Sequence, residues 1–493
     1  MKITFVYGIG IQLPIPLIAV SYLSASIKAS GRHQVSLIDC FLKQNKTAYI
    51  LGRIKEEKPD VIGFSVMSAY VQGSLIMAAE IKKKYPAIKI IFGGVHAILR
   101  PLEILRNSFV DAVCVGEAEE SLVEYLDKLP EGSAHLVKGF WYKDGDNIIK
   151  NENRPLIENL DVLPYPDWEI WDMKVYLNSL MYLLGSRGCP FNCAYCCTGA
   201  LRKNLGTQNS VSFYRVRSAK NIIGEIKRNL EKYSFGSFQP ALFCDSVFGF
   251  NRQQYREFTD LYIKEGLNKA VPWKCLAVAN NVDEDWVIRA RNSGCFAIDM
   301  GLEHSDEKFR KETLGKMISN ADFQKATQLL TKYKIPYELY LLIGSCGETF
   351  WDALKNIWQA GRLKPLLFCI NVYVPLPETK LWDQYKTKNV PLGLPQIEEK
   401  ESAFENYNFL VWGLKFLNQL AIMNIARKLH GMGIFYVFFN FFCKLNKIKP
   451  VDLIDALRLF NHHIQQYYIY EVFAPKIKDR TYPVDQDVFY RKS

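Results

Sequence analysis

The sequence predicts an α/β protein made of two parallel-sheet units in succession, closed by a mainly helical C-terminal region. Three observations carry that prediction. Residues 1–130 alternate short apolar runs with helically spaced ones, residues 179–400 do so again in six strand-then-helix units, and residues 401–493 lose the alternation. The chain has 493 residues, of which 49% are hydrophobic and 23% charged, enough apolar material for two or three folded domains and too much for disorder.

In the first unit the expected strands are Ile3 to Tyr7, Gln34 to Asp39, Val61 to Val66, Ile88 to Phe92 and Ala112 to Val115. Between them Leu17 to Ile27, Tyr49 to Glu56, Ser74 to Lys84 and Glu119 to Leu129 place apolar residues on one helical face. Ligands of such sheets bind where loops leave the carboxyl ends of the strands. The residues there are Ser65, Ser68, Gly93-Gly94-Val95-His96 and Gly116-Glu117, small or polar groups that let a ligand approach the backbone. By themselves they define a generic nucleotide-like pocket, and a glycine pair after a strand is equally a simple turn.

Residues 131–178 form a connector. Gly139 to Ile149 predicts a hairpin turning at Asp144-Gly145, and Leu163-Pro164-Tyr165-Pro166 enforces an extended path after it. The second unit has expected strands at Met181 to Leu184, Ala241 to Cys244, Lys274 to Val278, Phe296 to Met300, Glu338 to Ile343 and Phe368 to Val374. Six parallel strands fall short of the eight that close a full barrel, so an open, partial barrel is expected. Its chemistry should gather at the strand ends, which carry Asp245-Ser246, Asn280-Asn281, Gly301-Leu302-Glu303-His304-Ser305 and Gly344-Ser345.

At the exit of the first of these strands lies Gly185-Ser186-Arg187-Gly188-Cys189-Pro190-Phe191-Asn192-Cys193-Ala194-Tyr195-Cys196. Cys189, Cys193 and Cys196 can turn three thiolates to one centre, and thiolates are the usual ligands of iron–sulfur clusters. A zinc site would want four ligands in two close pairs, and Cys197, directly after Cys196, is poorly placed as the fourth. Three cysteines on a four-iron cubane leave one iron free for another ligand.

The C-x3-C-x2-C spacing with Tyr195 before its last cysteine resembles the radical S-adenosylmethionine (SAM) superfamily. Upstream, Phe92-Gly93-Gly94-Val95-His96-Ala97 and Val115-Gly116-Glu117-Ala118-Glu119 resemble the Rossmann-like cobalamin-binding domain of its cobalamin-dependent members. The resemblance implies a [4Fe-4S] cluster on Cys189, Cys193 and Cys196 that cleaves SAM to a 5′-deoxyadenosyl radical, with Tyr195, Asp245, Glu303, Ser305 and Gly344 as SAM-site residues. It implies cobalamin at Ser65, Ser68, Gly93, Gly94, His96, Gly116 and Glu117. The loop Gly8 to Pro16 holds no histidine, so cobalamin is expected to bind without a histidine below the cobalt; His96 is read as a loop histidine bonded to backbone ahead of a cobalt ligand. The expected activity is methylation of an unactivated carbon, with cyclisation without net methyl transfer as the alternative in the same family and a non-catalytic redox or scaffold role as one outside it. An electron donor such as flavodoxin or ferredoxin is implied.

Two segments depart from the pattern. Gly344-Ser345-Cys346-Gly347-Glu348-Thr349 and Pro377-Glu378-Thr379 stand where relatives usually read Gly-x-Pro-Gly-Glu-Thr and Pro-Gly-Thr, which points to a specialised substrate side; Cys346 is expected to be an inert, buried thiol. The net charge of +11 is spread among interleaved acids and predicts no nucleic-acid partner. The exception is 406–451, without Asp or Glu and containing the aromatic run Ile434 to Cys443, too short to span a bilayer. It is suited to closing the barrel as a core helix, or to lying on an anionic membrane, and it tilts the substrate toward a lipid, polyketide or tetrapyrrole. The start, Met1 to Tyr7, predicts a strand and not a signal peptide, and twelve cysteines without a disulfide framework fit a reducing, cytoplasmic setting.

Overall fold

The computed structural model describes residues 1–387 apart from 11–14, 44, 146, 173–179, 208, 234–239, 346, 347 and 349. The readings of 401–493 and of Cys346 therefore lie outside the described residues.

The first unit is a seven-stranded sheet of β1 (Lys2–Tyr7), β2 (Gln34–Asp39), β3 (Val61–Ser65), β4 (Lys89–Gly93), β5 (Ala112–Cys114), β6 (Phe140–Asp144) and β7 (Asn147–Lys150), in the order β2-β1-β3-β4-β5-β6-β7. β1 to β5 are parallel. Because both faces of such strands are covered, they appear in the sequence as apolar runs, for example Val61, Ile62 and Phe64, all buried. Helices Ile18–Ser30 and Glu119–Lys128 cover one face, and Lys46–Glu57 and Val71–Lys84 the other. The chain reverses its direction of travel across the sheet between β1 and β3, the switch point at which ligands bind in doubly wound folds. The hairpin expected in the connector is present, but β6 pairs antiparallel with β5 and so extends this sheet.

The second unit is an open parallel sheet of β8 (Met181–Leu183), β11 (Ala241–Phe243), β12 (Trp273–Ala277), β13 (Cys295–Glu303), β14 (Tyr337–Ile343) and β15 (Leu367–Val372), ordered β15-β14-β13-β12-β11-β8. A two-stranded ribbon, β9 (Ser186–Arg187) with β10 (Arg215–Val216), stands at the exit of β8. Several helices of this unit begin at side-chain caps: Ser218, Asn251, Asp283 and Ser319 each accept an N–H of the first turn. One set of alternate strand residues, among them Cys275, Ala277, Ile298, Met300, Leu339 and Leu341, packs under those helices. The opposite set, including Lys274, Asp299, Glu338 and Tyr340, faces the concave side. The two units share a core: Trp168 of the connector and Tyr182 of β8 pack with Phe5, Tyr7 and Val20.

Candidate functional site

The carboxyl ends of the first sheet open into a cavity of about 880 Å3, part of it open to solvent. Ser65, Gly93, Gly94, Gly116 and Glu117 line its rim, and Phe5, Gly63, Ile91 and Leu122 its apolar depth between the sheet and two helices. At Gly94, with φ +90°, a Cβ would lie 2.7 Å from the Val66 amide nitrogen, so only glycine lets β3 and β4 close together here. A deep, apolar, glycine-rimmed slot at the switch point fits the flat heterocycles of a corrinoid. Leu184 and Arg187 of the second unit complete its wall.

Two of the expected cobalamin residues are not among those lining the cavity. His96, 1% exposed, hydrogen-bonds through Nδ1 to Ser68 Oγ at 2.9 Å, and its Nε2 lies 3.7 Å from Glu103. Their side chains brace the turn after β3 against the start of the helix Val95–Leu99. Glu117 reaches the rim, but both its oxygens are engaged: Oε1 accepts from Arg187 and Arg215 and Oε2 from Arg215 and the Ile157 amide. Burial pushes this carboxyl up, but the two guanidiniums outweigh it and hold the group below the usual carboxylate range.

The cysteine loop follows β8 and is fixed at several points. Asp245, at the end of β11, accepts the Gly185 amide at 2.9 Å and the Ser186 hydroxyl. Its carboxyl is buried, and burial pushes it up to about 6 against those hydrogen bonds. Asp245 thus anchors the root of the loop. Farther along, the Ala194 amide donates to Leu314 O at 2.8 Å and its carbonyl accepts the Leu381 amide at 3.1 Å. Gly188 has φ +83°, and a Cβ there would lie 2.1 Å from the Phe213 carbonyl oxygen. Replacing it with alanine (Gly188→Ala) adds about 1–2 kcal/mol of left-handed backbone strain before the clash is counted, so the loop must shift. The expected result is a lower thermal midpoint and a reconstituted protein that retains less iron than the unmodified chain.

Cys189, Cys193 and Cys196 are all free thiols, each partly exposed. Burial pushes Cys189 up to about 11 and also raises Cys193, whereas Cys196 is lowered by hydrogen bonds from Cys197 and Thr198. A bound cation removes the first penalty, because metal ligation favours the thiolate. Among the described residues no three His, Cys, Asp or Glu side chains converge on a single metal ion. The thiolates of a cubane, each on a different iron, need no such convergence, and the donor set fits an iron–sulfur cluster.

Beside the loop, β13 ends in a register shift between Gly301 and Glu303 where it pairs with β14, and Glu303 has φ +63°. That bulge re-aims the carboxylate. Glu303 Oε1 accepts from Tyr195 Oη and from Lys316 Nζ, each at 3.0 Å. A Cβ at Gly301 would lie 2.2 Å from that oxygen and 2.7 Å from Lys316 Nζ, so the glycine makes room for both groups. Tyr195 and Glu303, the two residues that the resemblance assigned to SAM, are thus in direct contact, and Lys316 joins them without a sequence signal beyond its charge. Gly344, with φ +77°, follows β14 at the same end of the sheet. Ser305 is placed elsewhere: its hydroxyl and amide go to Gln359 Oε1 and Asn356 Oδ1 at 2.9 and 2.7 Å, binding the strand exit to the helix Phe350–Gly361.

A doubly wound sheet with a glycine-rimmed cavity, joined at its ligand end to an open barrel with a three-cysteine loop, defines the class of cobalamin-dependent radical SAM proteins. Comparison with known proteins agrees: residues 6–126 match the B12 binding domain and 183–357 the radical SAM superfamily. An uncharacterized methyltransferase of Pyrococcus horikoshii is 24% identical over 76% of this chain and 80% of its own length. The anaerobic magnesium-protoporphyrin IX monomethyl ester cyclase of Cereibacter sphaeroides is 26% identical over 78% of this chain, which spans 64% of that enzyme. Among solved structures, the radical SAM methyltransferase TsrM from Kitasatospora setae, with cobalamin and a [4Fe-4S] cluster bound, superposes with a TM-score of 0.64 at 13% identity, over 79% of this chain and 75% of its own. The cobalamin-dependent radical enzyme OxsB gives 0.60 at 17% identity, over 83% of this chain and 56% of its own. The chain belongs to the cobalamin-binding radical SAM enzyme family, whose cofactors are a [4Fe-4S] cluster, SAM and cobalamin. Among the described residues no helix is long and apolar enough to cross a membrane.

Proposed function

We propose that this enzyme methylates a carbon of a small molecule, holding the cluster on Cys189, Cys193 and Cys196, SAM beside Tyr195, Glu303, Lys316 and Gly344, and cobalamin in the cavity rimmed by Ser65, Gly93, Gly94 and Gly116. The observation that carries this reading is the position of Arg187, two residues before the first cluster cysteine and itself part of the wall of the cobalamin cavity. One short stretch of backbone serves both sites. When bound, the cluster with SAM supplies a radical that removes hydrogen from carbon, and cobalamin supplies a transferable methyl group. The chain's own part is binding, orientation and exclusion of water. Glu303 offers a carboxylate to the SAM ammonium or ribose hydroxyls, and Tyr195 and Lys316 fix its direction. Asp245 holds the loop's root.

The methyltransferase reading draws support from the Pyrococcus horikoshii relative and from the hopanoid C-3 methylase of Methylococcus capsulatus, 24% identical over 73% of this chain. Cyclisation without net methyl transfer is the second reading, favoured by the similarity to the magnesium-protoporphyrin cyclases. The concave face of the barrel argues for a substrate that is not wholly apolar, because Lys274, Asp299, Glu338 and Tyr340 line it with charge and a hydroxyl. An electron donor such as flavodoxin or ferredoxin completes the reading.

The test is anaerobic reconstitution with iron, sulfide and hydroxocobalamin, followed by reduction with methyl-labelled SAM. Formation of 5′-deoxyadenosine and label on cobalamin are the expected results; an intact cluster that never cleaves SAM would instead favour a redox scaffold. A narrower check addresses Glu303. Glu303→Gln removes a charge-assisted contact of about 1.5–3 kcal/mol, so SAM affinity should fall about tenfold or more while iron content is unchanged. A variant that binds SAM as the unmodified chain does would remove Glu303 from the site.

A further inference from the structure

The two units are joined by a network of buried charge that borders the cavity and extends beyond it to Arg215. The ladder of the β9–β10 ribbon sets Arg187 directly opposite Arg215. Two cations in that relation repel unless an anion lies between them. Here the anion comes from the other unit. Glu117, on the loop after β5, receives Arg187 Nη1 at 3.0 Å, and Arg215 through Nη2 at 3.0 Å and Nη1 at 2.9 Å. Glu119 takes the second arm of Arg187, and Arg215 Nη1 also donates to the Ile157 carbonyl at 2.7 Å. The four side chains are only 7 to 17% exposed and balance as two cations and two anions.

The network is continuous with both sites. The Arg187 guanidinium lies 5.1 Å from the centroid of the Tyr22 ring, and Tyr22, Glu117, Glu119 and Arg187 all line the cavity. On its other side, Arg187 is two residues from Cys189, and Arg217, which donates to the Tyr22 hydroxyl at 3.3 Å, also holds the Leu184 carbonyl at 2.9 Å. The cavity wall and the root of the cysteine loop are thus linked through one connected set of side chains.

We propose that Glu117, Arg187 and Arg215 form a positioning latch through which occupancy of the cobalamin cavity and assembly of the cluster favour each other. The inference rests on the cofactor assignment proposed above. It has a thermodynamic signature: if the cluster tightens cobalamin by some factor, cobalamin tightens the cluster loop by the same factor. Charge alone is not sufficient, because Glu117 is gripped by a planar fork that a lysine cannot reproduce.

The test uses the full chain and hydroxocobalamin as probe, with the dissociation constant measured by absorbance before and after cluster assembly. In the unmodified chain cobalamin should bind roughly fivefold or more tightly once the cluster is present. In Glu117→Gln and in Arg215→Lys that ratio should fall to near one. Arg215 does not line the cavity, so loss of coupling in its lysine variant is not loss of a cobalamin contact. Should Glu117→Gln fail to fold by circular dichroism, Arg215→Lys, which keeps the cation, decides the question. A ratio of one in the unmodified chain, or an undiminished ratio in Arg215→Lys, overturns the latch. An unmodified chain that takes up neither hydroxocobalamin nor iron overturns the cofactor assignment, and the latch with it, whereas a chain that takes up both with a ratio of one overturns the latch alone.

Discussion

Cys189→Ala, Cys193→Ala and Cys196→Ala are each expected to leave the reconstituted protein without a SAM-cleaving cluster, while Cys197→Ala keeps one. The loop is bound to its surroundings through Asp245, Leu314 and Leu381, so it cannot slide by one residue to offer Cys197 in place of Cys196. Cys197 also begins the turn into the helix Thr198–Asn204. Losing a direct ligand should exceed the 10- to 100-fold effect typical of an outer partner, so 5′-deoxyadenosine should fall to background. Cys197→Ala removes one hydrogen bond to the Cys196 sulfur, so its effect belongs in the stability of the cluster and not in its existence. Iron and sulfide content, with the spectrum of the reduced cluster, separates the two. A Cys197→Ala protein as empty as Cys196→Ala would show that the loop's ligands are assigned wrongly.

The parts of this architecture that were legible in the sequence are those with a strong period. Val61 to Ser65 is a strand because a sheet covered on both faces demands a continuous apolar run, Tyr337 to Ile343 shows itself by alternation of buried and half-buried residues, and the helices between strands show their inward stripe. The cysteine loop is legible because its spacing is its chemistry. Partner choice was not. The connector hairpin announces its own turn, but nothing in Gly139 to Ile149 says that β6 will pair with β5. The β9–β10 ribbon has two residues per strand, too few for any period, and so the pairing of Arg187 with Arg215 could not be read. Side-chain direction was equally hidden: Ser68, His96 and Ser305 stand beside the right strands but are directed to Ser68–His96 and Gln359 contacts. Lys316 reaches Glu303 from a loop whose path depends on Arg310, buried and bonded to the carbonyls of His304 and Ile318.

The second large effect is expected at the concave face of the barrel. Lys274 Nζ lies 3.0 Å from Asp299 Oδ1 and 2.9 Å from Glu338 Oε1, and Tyr340 Oη donates to Asp299 Oδ2 at 2.7 Å. The three charged side chains are 13% or less exposed, so little water screens them. Burial disfavours the charged lysine, but the two carboxylates outweigh it and raise its affinity for the proton; burial likewise raises Asp299 against the pull of Lys274. Lys274→Met leaves two neighbouring buried carboxylates without a cation. Breaking such a group by removing one partner costs about 3–5 kcal/mol, so the urea midpoint should fall sharply at neutral pH. Acid should restore part of it. A carboxyl whose folded pKa lies above its unfolded value binds more protons when folded, so stability rises as pH falls from that folded value toward the unfolded one. The rise should be steeper in the variant, where no ammonium opposes protonation, and the gap between the two proteins should narrow from about pH 7.5 to about pH 5. Iron content should be unchanged, since the cysteines sit on the loop after β8 and Lys274 on β12. A gap of constant size at both pH values would mean that Lys274 does not stabilise the fold by neutralising Asp299 and Glu338.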